Sequence, residues 1–238
     1  MALTDDAIAR IRAMIVTGEL VPGQRLPPEK ELSESLGLSR NSLREAVKAL
    51  ELVRVLDVRR GDGTYVTTLE PALLLEAVSF VVDLHQDDSL VELVEVRRIL
   101  EPAASARAAQ HVDDETVAGL RALVDDLSSD TDVEELVAHD LEFHARIARA
   151  GGNGYLSGLL EALGCRTARD RVWRGLSEEG AVARTLDEHR AIVEALAQRD
   201  VELVRALVTV HVEGVERWLR GQASGRRQTR GRPAEPSE

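Results

Sequence analysis

The stretch LSRNSLREAVKAL, residues 38–50, decides the fold of the N-terminal third of the chain. It carries an apolar stripe at helical spacing, which consists of Leu43, Val47 and Leu50. Ser39, a preferred N-cap residue, comes directly before that stripe. The pattern predicts a helix over residues 40–52 whose apolar stripe packs into a core.

The residues before this helix predict two more helices. An apolar stripe at helical spacing covers residues 4–18. Pro27-Pro28, followed by acidic residues, is typical of a helix start and predicts a short helix over 28–35. Gly37 lies between that helix and the next one. Two helices joined by a tight turn that contains glycine indicate a helix-turn-helix.

The period of the sequence changes after the third helix. VLDVRRGDGTYV, residues 55–66, alternates apolar and polar residues on both sides of a basic tip that contains glycine. This alternation predicts a β-hairpin whose tip consists of Arg59, Arg60, Gly61, Asp62 and Gly63. Three helices followed by a hairpin make a winged helix-turn-helix, which we assign to residues 1–70.

Arg40, Arg44 and Lys48 follow one another at four-residue spacing, so they lie on one face of the predicted 40–52 helix. The chain as a whole is acidic, with a formal net charge of −12. Residues 1–70 hold ten Lys and Arg against eleven Asp and Glu, whereas the rest of the chain holds 20 against 31. This division indicates two domains with different partners.

The cationic face has two interpretations. A row of charges is most often a solvated helix face. The preceding helix-turn-helix, the basic hairpin tip, and small polar Ser39, Asn41 and Ser42 at the helix N-terminus favour contact with bases and phosphates. Each good base contact discriminates by roughly 1–3 kcal/mol, so a few of them per subunit specify only a short site. We therefore expect a homodimer on a two-fold symmetric operator in double-stranded DNA.

From residue 71 onward the sequence shows only helical periodicity. It predicts an all-α bundle of six or seven helices over residues 71–220. The segment 221–238 is rich in Gly, Pro, Arg and Ser, and it predicts a disordered tail. The expected fold class is therefore mostly α, with an N-terminal winged helix-turn-helix and a C-terminal helical bundle.

Three features bear on the compartment. Cys165 is the only cysteine, so a disulfide framework within the chain is excluded and a reducing compartment is expected. The N-terminus lacks a basic-then-apolar leader. No apolar run approaches the roughly 20 residues that a membrane span needs. We expect a cytoplasmic protein that has no membrane partner.

A second group of residues has the chemistry of metal ligands. Asp140 and His144 lie four residues apart and share one helix face, while His189 and His211 occupy apolar helical stretches of their own. If they converge, three imidazoles and a carboxylate suit Zn²⁺, Ni²⁺, Mn²⁺ or Fe²⁺. A histidine on an apolar face is more often a hydrogen-bonded core residue, so spacing leaves both interpretations open. We assign the remaining histidines to the surface or to element boundaries, namely His85, His111 and His139.

Residues 20–66 resemble the DNA-binding domain of the GntR family of transcription regulators, on the segments LVPGQRLPPEKELSESLGLSRNSLREAVKAL and RRGDGTYV. The resemblance implies DNA contacts by Lys30, Arg40, Arg44, Arg60 and Gly61. Two positions depart from the family pattern. Lys30 stands where arginine is common, which replaces a bidentate contact by a point charge. Arg54 stands where glycine is usual, between the recognition helix and the wing.

Residues 89–220 resemble the FCD ligand-binding domain of the fatty-acid-regulator branch of the same family. The matching pieces are ELVEVRRILEPAASARAA, the Asp140-x3-His144 unit followed by GGNGYL, the segment EHRAIVEAL and the late His211. The resemblance implies a divalent metal held by Asp140, His144, His189 and His211, with zinc as the first candidate and nickel, manganese or iron as alternatives. It also implies an effector carboxylate that joins the metal at open coordination positions.

The implied effector is a small organic or sugar acid. A cation would fix the rest of that molecule. Arg97 in EVRRILE is the candidate that matches the family, and Asn153 and Trp173 are further candidates. By sequence alone Arg97 is equally a surface residue in a salt bridge, and Asn153 is equally a helix cap.

Together these inferences predict a metabolite-responsive transcriptional repressor, not an enzyme, that leaves its operator when the effector binds. A metal-dependent enzyme is the alternative from another class, although no general-base motif such as HExxH accompanies the histidines. A purely structural metal, with an effector pocket elsewhere, is the third possibility.

Overall fold

The computed structural model describes residues 2–84, 90–128, 131–164 and 180–230. The chain divides into two compact units, Met1–Ala77 and Val78–Glu238. The first unit extends past residue 70, where the sequence places the boundary. A contact explains the extension, because the guanidinium of Arg54 bonds the carboxylate of Glu76 at 2.7 Å.

The elements of the first unit match the predicted helices and hairpin closely. Up to residue 66 they are α1 (Ala2–Val16), α2 (Glu29–Ser35), α3 (Arg40–Leu52), β1 (Leu56–Arg59) and β2 (Gly63–Val66). The core of the unit is aliphatic and draws on every one of these elements; its largest buried members are Ile11, Leu20, Leu43 and Leu56. The predicted stripe of α3 is confirmed, with Leu43 and Leu50 buried and Val47 half-buried against the same core.

The turn between α2 and α3 is fixed by local hydrogen bonds. Gly37 adopts a left-handed φ of 64°, a conformation that glycine adopts without steric cost. Ser39 then caps α3, because its hydroxyl accepts a hydrogen bond from the Ser42 amide at 3.0 Å. Arg10 of α1 donates to the Leu36 carbonyl at 2.9 Å. The helix-turn-helix is therefore held from both sides.

The wing is a two-stranded antiparallel hairpin. Its register pairs Leu56 with Val66 and Arg59 with Gly63. Leu56 and Val66 are the buried pair that docks the hairpin onto the helices. Arg25, in the segment before α2, forms an isolated bridge with Tyr65 and lies beside the second strand.

The second part of the chain is helical throughout the described residues. Its elements are α4 (Pro71–Leu74), α5 (Glu76–Leu84), α6 (Leu90–His111), α7 (Asp114–Asp125), α8 (Val133–Ala150), α9 (Gly154–Leu163), α10 (Ala181–Ala197) and α11 (Val201–Arg230). Beyond the short α4, these described ranges contain seven helices, which agrees with the predicted bundle. Three of them begin at side-chain N-caps, which are Asp113, Asp132 and Asn153.

The long helix α6 lies at the centre of the bundle, because it packs against α8, α9 and α11. Helix α10 packs against α7 and α11, and α7 packs against α8. The main core is aliphatic apart from Phe143, as the low aromatic content of 3% requires. This arrangement directs α8, α10 and α11 toward a common interior.

The C-terminal end of α11 differs from the sequence prediction. A disordered tail is predicted from residue 221, but the helix continues to Arg230. The segment up to Arg230 contains no proline, and Pro233 is the first one after it. Extending an existing helix is easy compared with nucleating one, so Arg, Gln and Ala suffice to continue it. Residues 231–238 lie outside the described part of the chain.

None of the described helices has both the length and the apolar character needed to cross a lipid bilayer.

Arg54 occupies the left-handed region, with a φ of 59°, at the junction between α3 and β1. A residue with a Cβ atom costs roughly 1–2 kcal/mol in this conformation. Two contacts hold the junction in place. Thr67 donates its hydroxyl proton to the Arg54 carbonyl at 2.7 Å, and the Arg54 side chain pairs with Glu76. Arg54 thus adopts the left-handed turn that glycine would adopt without strain, and the strain lowers the stability of the first unit.

We expect Arg54→Gly to stabilise the first unit by about 0.5–1 kcal/mol, because the relief of left-handed strain exceeds the added entropy of the unfolded chain. Amide hydrogen exchange in peptides from residues 40–66 should slow about two- to fivefold. Arg54→Ala is the control, because it removes the Glu76 pair and keeps the strain. Exchange that is no slower in the glycine variant than in the alanine variant would contradict this account.

Candidate metal centre and nucleic-acid interface

Four predicted ligand residues meet inside the helical unit. Asp140 and His144 come from α8, His189 from α10 and His211 from α11. One ligand atom of each residue lies within 4.8 Å of those of the other three. Side-chain exposure is 2% for Asp140, 9% for His144, 0% for His189 and 4% for His211. The sequence separates these residues by up to 71 positions, and the bundle brings them together.

The carboxylate of Asp140 lies between two of the imidazoles. Its Oδ1 atom is 3.5 Å from His144 Nε2 and 3.6 Å from His189 Nε2. The three ring centroids are 5.0 Å apart for His189–His211, 5.2 Å for His144–His211 and 5.4 Å for His144–His189. A buried group of one carboxylate and three imidazoles of this compactness could bind a divalent metal.

Burial keeps two of the imidazoles in the form that binds metal. It lowers the pKa of His144 to about 4, and the nearby Glu101 carboxylate only partly opposes that effect. Burial also lowers the pKa of His211, against the opposing hydrogen bond from Glu188. Neutral imidazole is the ligand form, so these two residues need lose no proton to a metal at neutral pH. His144 Nε2 is buried and makes no hydrogen bond within the described residues, as an atom that faces a metal would.

Two further carboxylates, which the sequence analysis missed, lie against the outer nitrogens of the histidines. Glu101 of α6 places Oε2 at 3.3 Å from His144 Nδ1. Glu188 of α10 places Oε2 at 2.7 Å from His211 Nδ1. Metal-binding histidines generally have such partners on the nitrogen that faces away from the metal. The adjacency of Glu188 to His189 was the only sequence signal, and it places the two side chains on different faces.

The other histidines divide three ways. His111 is exposed, as predicted. The prediction for His139 is wrong, since that residue is 5% exposed and its ring centroid lies 5.6 Å from that of His189. Helix α8 packs against both α6 and α7, so two of its faces are buried and adjacent positions can both be interior. His85 lies outside the described residues.

The candidate effector residues have different environments. Arg97 is 6% exposed and donates from Nε to Glu101 at 2.5 Å, so it is an interior residue and not a surface one. Its neighbour Arg98 is the partly exposed one, and it pairs with Glu216 at 2.9 Å. Asn153 is exposed and caps α9 by accepting from the Leu156 amide, which is the alternative role left open by sequence. Trp173 lies outside the described residues.

A surface groove of about 450 Å³ lies between α10 and α11. Its lining residues are Arg184, Asp187, Glu188, Ala191, Leu207 and Val210. Glu188 thus faces the groove and also bonds His211, whereas none of the four ligand residues lines the groove. Among the described residues that line the groove, Glu188 is the one that also contacts the candidate metal centre.

The predicted DNA-contacting residues all belong to the first unit, and most of them are exposed. The exposed ones are Lys30, Ser39, Arg40, Asn41, Arg44, Arg60 and Gly61. Ser42 differs, because it is 8% exposed and its hydroxyl lies 2.8 Å from that of Ser39. The Ser42 side chain takes part in the cap of α3. It therefore helps to form the helix and does not present a free hydroxyl to DNA.

Acidic residues hold two of the three cations on α3. Arg44 pairs with Glu29 of α2 at 2.9 Å, and Lys48 pairs with Glu45 at 3.0 Å. The described residues show no ion pair for Arg40. The hydrogen bond and charge of Glu29 raise the pKa of Arg44. Arg44 is thus already oriented by a carboxylate that a phosphate would have to replace.

The tip of the wing is braced by side chains that the sequence analysis did not single out. Arg59 stacks over the Tyr65 ring at 4.3 Å, and the Tyr65 hydroxyl donates to Asp62 at 2.9 Å. Arg25 donates to the carbonyl of Asp62. A Cβ atom at Gly63 would lie 2.5 Å from Arg25 Nε, so a side chain there would displace the Arg25 guanidinium. These contacts fix the backbone that presents Arg60 and Gly61.

Comparison with known proteins covers both units. Residues 3–66 match the family described as "Bacterial regulatory proteins, gntR family", and residues 92–214 match the FCD domain. The HTH-type transcriptional regulator LutR of Bacillus subtilis (strain 168) is 31% identical over 217 residues, which is 87% of this chain and 97% of that protein. The Galactonate operon transcriptional repressor of Escherichia coli (strain K12) is 28% identical over 203 residues, which is 83% of this chain and 88% of that protein.

Among solved structures, that of Streptococcus agalactiae GntR is similar to the whole fold. The TM-score is 0.69 at 26% sequence identity, over 90% of this chain and 99% of that one. The order of a winged unit followed by a helical unit is therefore shared with a protein of known structure.

We expect Glu29→Gln to strengthen binding to duplex DNA about two- to fivefold, because it releases Arg44 from its exposed pair with a carboxylate that competes with phosphate. The measurement is a fluorescence-anisotropy titration at fixed salt, with a duplex that the parent protein selects from a randomised pool. Glu31→Gln is the matched control, since it removes the same charge from the same first turn of α2. Equal gains in both variants would show that net charge, and not the Arg44 pair, controls binding.

Proposed function

Because this chain belongs to the GntR family of bacterial regulatory proteins and carries an FCD domain, we propose that this transcriptional regulator is a repressor that a small carboxylate releases from DNA. The carboxylate binds at a metal in the helical unit. The observation that carries the proposal is the buried group formed by Asp140, His144, His189 and His211. In a regulator, a buried site with ligands from three helices is well placed to sense a small molecule.

The metal proposed for this group is zinc, with nickel, manganese or iron as alternatives. Three nitrogen ligands and one carboxylate oxygen suit each of these ions. When bound, the metal supplies a Lewis acid with coordination positions left for an oxygen ligand. The residues of the chain then have separate tasks: four hold the ion, while Glu101 and Glu188 orient His144 and His211.

The effector class is a small organic acid or sugar acid. One similar protein is named for a galactonate operon, and galactonate is a sugar acid. Arg97 is the proposed cationic partner for such an anion, since it lies next to Glu101, which in turn lies against His144. The Nε donor of Arg97 is used by Glu101, so the terminal nitrogens of the guanidinium are the donors proposed for the effector.

The DNA partner is proposed to be a palindromic operator bound by a homodimer in the cytoplasm. Helix α3 enters the major groove with Arg40 and Arg44, while Lys30 and the Arg60-Gly61 tip contact the backbone or the minor groove. The exposure of these residues supports this assignment. Effector binding then changes the packing of the helical unit and lowers DNA affinity, with a coupling free energy on the order of 1–3 kcal/mol.

The enzyme alternative is not retained, because the similar proteins are named as transcriptional regulators. A metal with a purely structural role remains the competing hypothesis, because the four ligands lie close to the main core of the bundle. The two are separated by asking whether removal of the metal abolishes the response to the effector or the fold itself.

For the DNA end, we expect the double substitution of Arg40 and Arg44 by alanine to weaken operator binding more than tenfold. Each base contact is worth roughly 1–3 kcal/mol, and each lost phosphate contact lowers the slope of log K against log salt by about one. Anisotropy titrations at several salt concentrations measure both quantities. Arg121→Ala in α7 is the control, and operator affinity equal to that of the parent in the double variant would refute the proposed interface.

For the metal end, we expect His189→Ala and His211→Ala each to abolish stoichiometric metal content, measured by mass spectrometry of the purified protein. Helical circular dichroism should persist while release from the operator by galactonate and other hydroxy acids is lost. His111→Ala, at an exposed histidine, is the matched control. Global loss of helical signal in both variants would favour the structural metal, and full metal content would exclude the site.

A further inference from the structure

Glu101 connects a buried cation to a candidate metal ligand. Its exposure is 4%, and its two carboxylate oxygens have different neighbours. One oxygen accepts from Arg97 Nε at 2.5 Å, and the other lies 3.3 Å from His144 Nδ1. The three groups therefore form a series in which Arg97 holds Glu101 and Glu101 contacts the ring.

The stability of the fold does not account for this series. Burying an ion pair carries a desolvation penalty, and its replacement by apolar side chains of similar volume is often neutral or stabilising. Arg97 and Glu101 are spaced one helical turn apart on α6, so the pair does not join two elements of the bundle. Glu101 does contact another element, because it lies against His144 of α8.

His144 has a carboxylate near each ring nitrogen, and Glu101, at 3.3 Å from Nδ1, is nearer than Asp140, at 3.5 Å from Nε2. The nearer carboxylate biases the proton position on the neutral imidazole. It favours the tautomer that carries the proton on Nδ1, which leaves the lone pair on Nε2. An isolated neutral histidine prefers the opposite tautomer. In this structure His144 Nε2 is the atom that lies 3.5 Å from Asp140, among the other ligand atoms.

We propose that Glu101, locked by Arg97, is a positioning residue that fixes His144 in the Nδ1–H tautomer and presents its Nε2 atom to the metal. The inference rests on the proposed function, because it concerns the same centre. Glu188 holds the Nδ1 atom of His211 in the same way. Because the Glu188 side chain is 34% exposed, water solvates its charge and no buried cation is needed beside it. The buried position of Glu101 explains why an arginine accompanies it.

The test is the double variant Arg97→Met with Glu101→Leu. Glu101→Leu alone leaves a buried guanidinium without its carboxylate, which by itself is expected to destabilise the bundle. The double variant removes both charges and keeps the volume, so folding is retained. Its first readout is the tautomer of His144 in metal-free protein, from long-range ¹H–¹⁵N spectra of histidine rings. Its second readout is zinc affinity, from competition with a chromophoric chelator.

We expect His144 to carry its proton on Nδ1 in the parent and chiefly on Nε2 in the double variant. Zinc affinity should fall 10- to 100-fold, the usual effect of losing such a partner. Glu101→Gln keeps an acceptor oxygen and should largely retain the parent tautomer. Glu188→Leu is the matched control, because it should change the tautomer of His211 and leave that of His144 unchanged.

The two levels of the hypothesis fail separately. An unchanged His144 tautomer together with unchanged zinc affinity in the double variant overturns the positioning role, even if the parent binds zinc tightly. A parent that binds no zinc, but shows the predicted tautomer and loses it in the double variant, overturns the metal while the positioning of the ring stands.

Discussion

The buried carboxylate of Asp140 is the constraint on which the helical unit depends. An ionised carboxylate in a protein interior costs several kcal/mol unless opposite charge and hydrogen-bond donors compensate for it. Burial lowers the pKa values of His144 and His211, so these two neighbouring imidazoles face the carboxylate as neutral rings. Arg97 is matched by Glu101 and adds no net charge. In the proposed function a divalent cation supplies positive charge at this position, where ligands from α8, α10 and α11 converge.

The first unit solves a different electrostatic problem. It has almost no net charge, and its cations are held by carboxylates in the pairs Arg44–Glu29, Lys48–Glu45 and Arg59–Asp57. DNA phosphates must replace these carboxylates as partners of the cations. The free energy of DNA binding is therefore reduced by the free energy of the ion pairs that are broken. That reduction is useful in a regulator, because coupling between two sites is typically only 1–3 kcal/mol. A DNA affinity far above what coupling can overcome would leave the protein bound whatever the effector does.

Local signals predicted more of this molecule than long-range ones did. The Ser39 cap, the left-handed Gly37 and the alternation around the wing tip act within a few residues, so the winged unit was predictable element by element. The convergence of the four ligands was expected from the family resemblance, since only Asp140 and His144 are linked by spacing. Glu101 and the buried His139 were missed because their roles depend on which helices pack beside α6 and α8. The C-terminal end of α11 was missed because composition indicates only a general tendency to disorder. Adding residues to an existing helix avoids the unfavourable nucleation step.

In the proposed function, the architecture of the centre gives a small anion contacts to several helices at once. Its ligands come from α8, α10 and α11, and the carboxylates behind them come from α6 and α10. Each of the helices α8, α10 and α11 therefore contributes one or two polar side chains to the centre. A hydrogen bond to a charged group contributes about 1.5–3 kcal/mol, which lies within the typical range of about 1–3 kcal/mol for coupling between two sites. In the proposed function, an effector that exchanges one such contact, at the metal or at Arg97, would change the free energy of helix packing by an amount in this range.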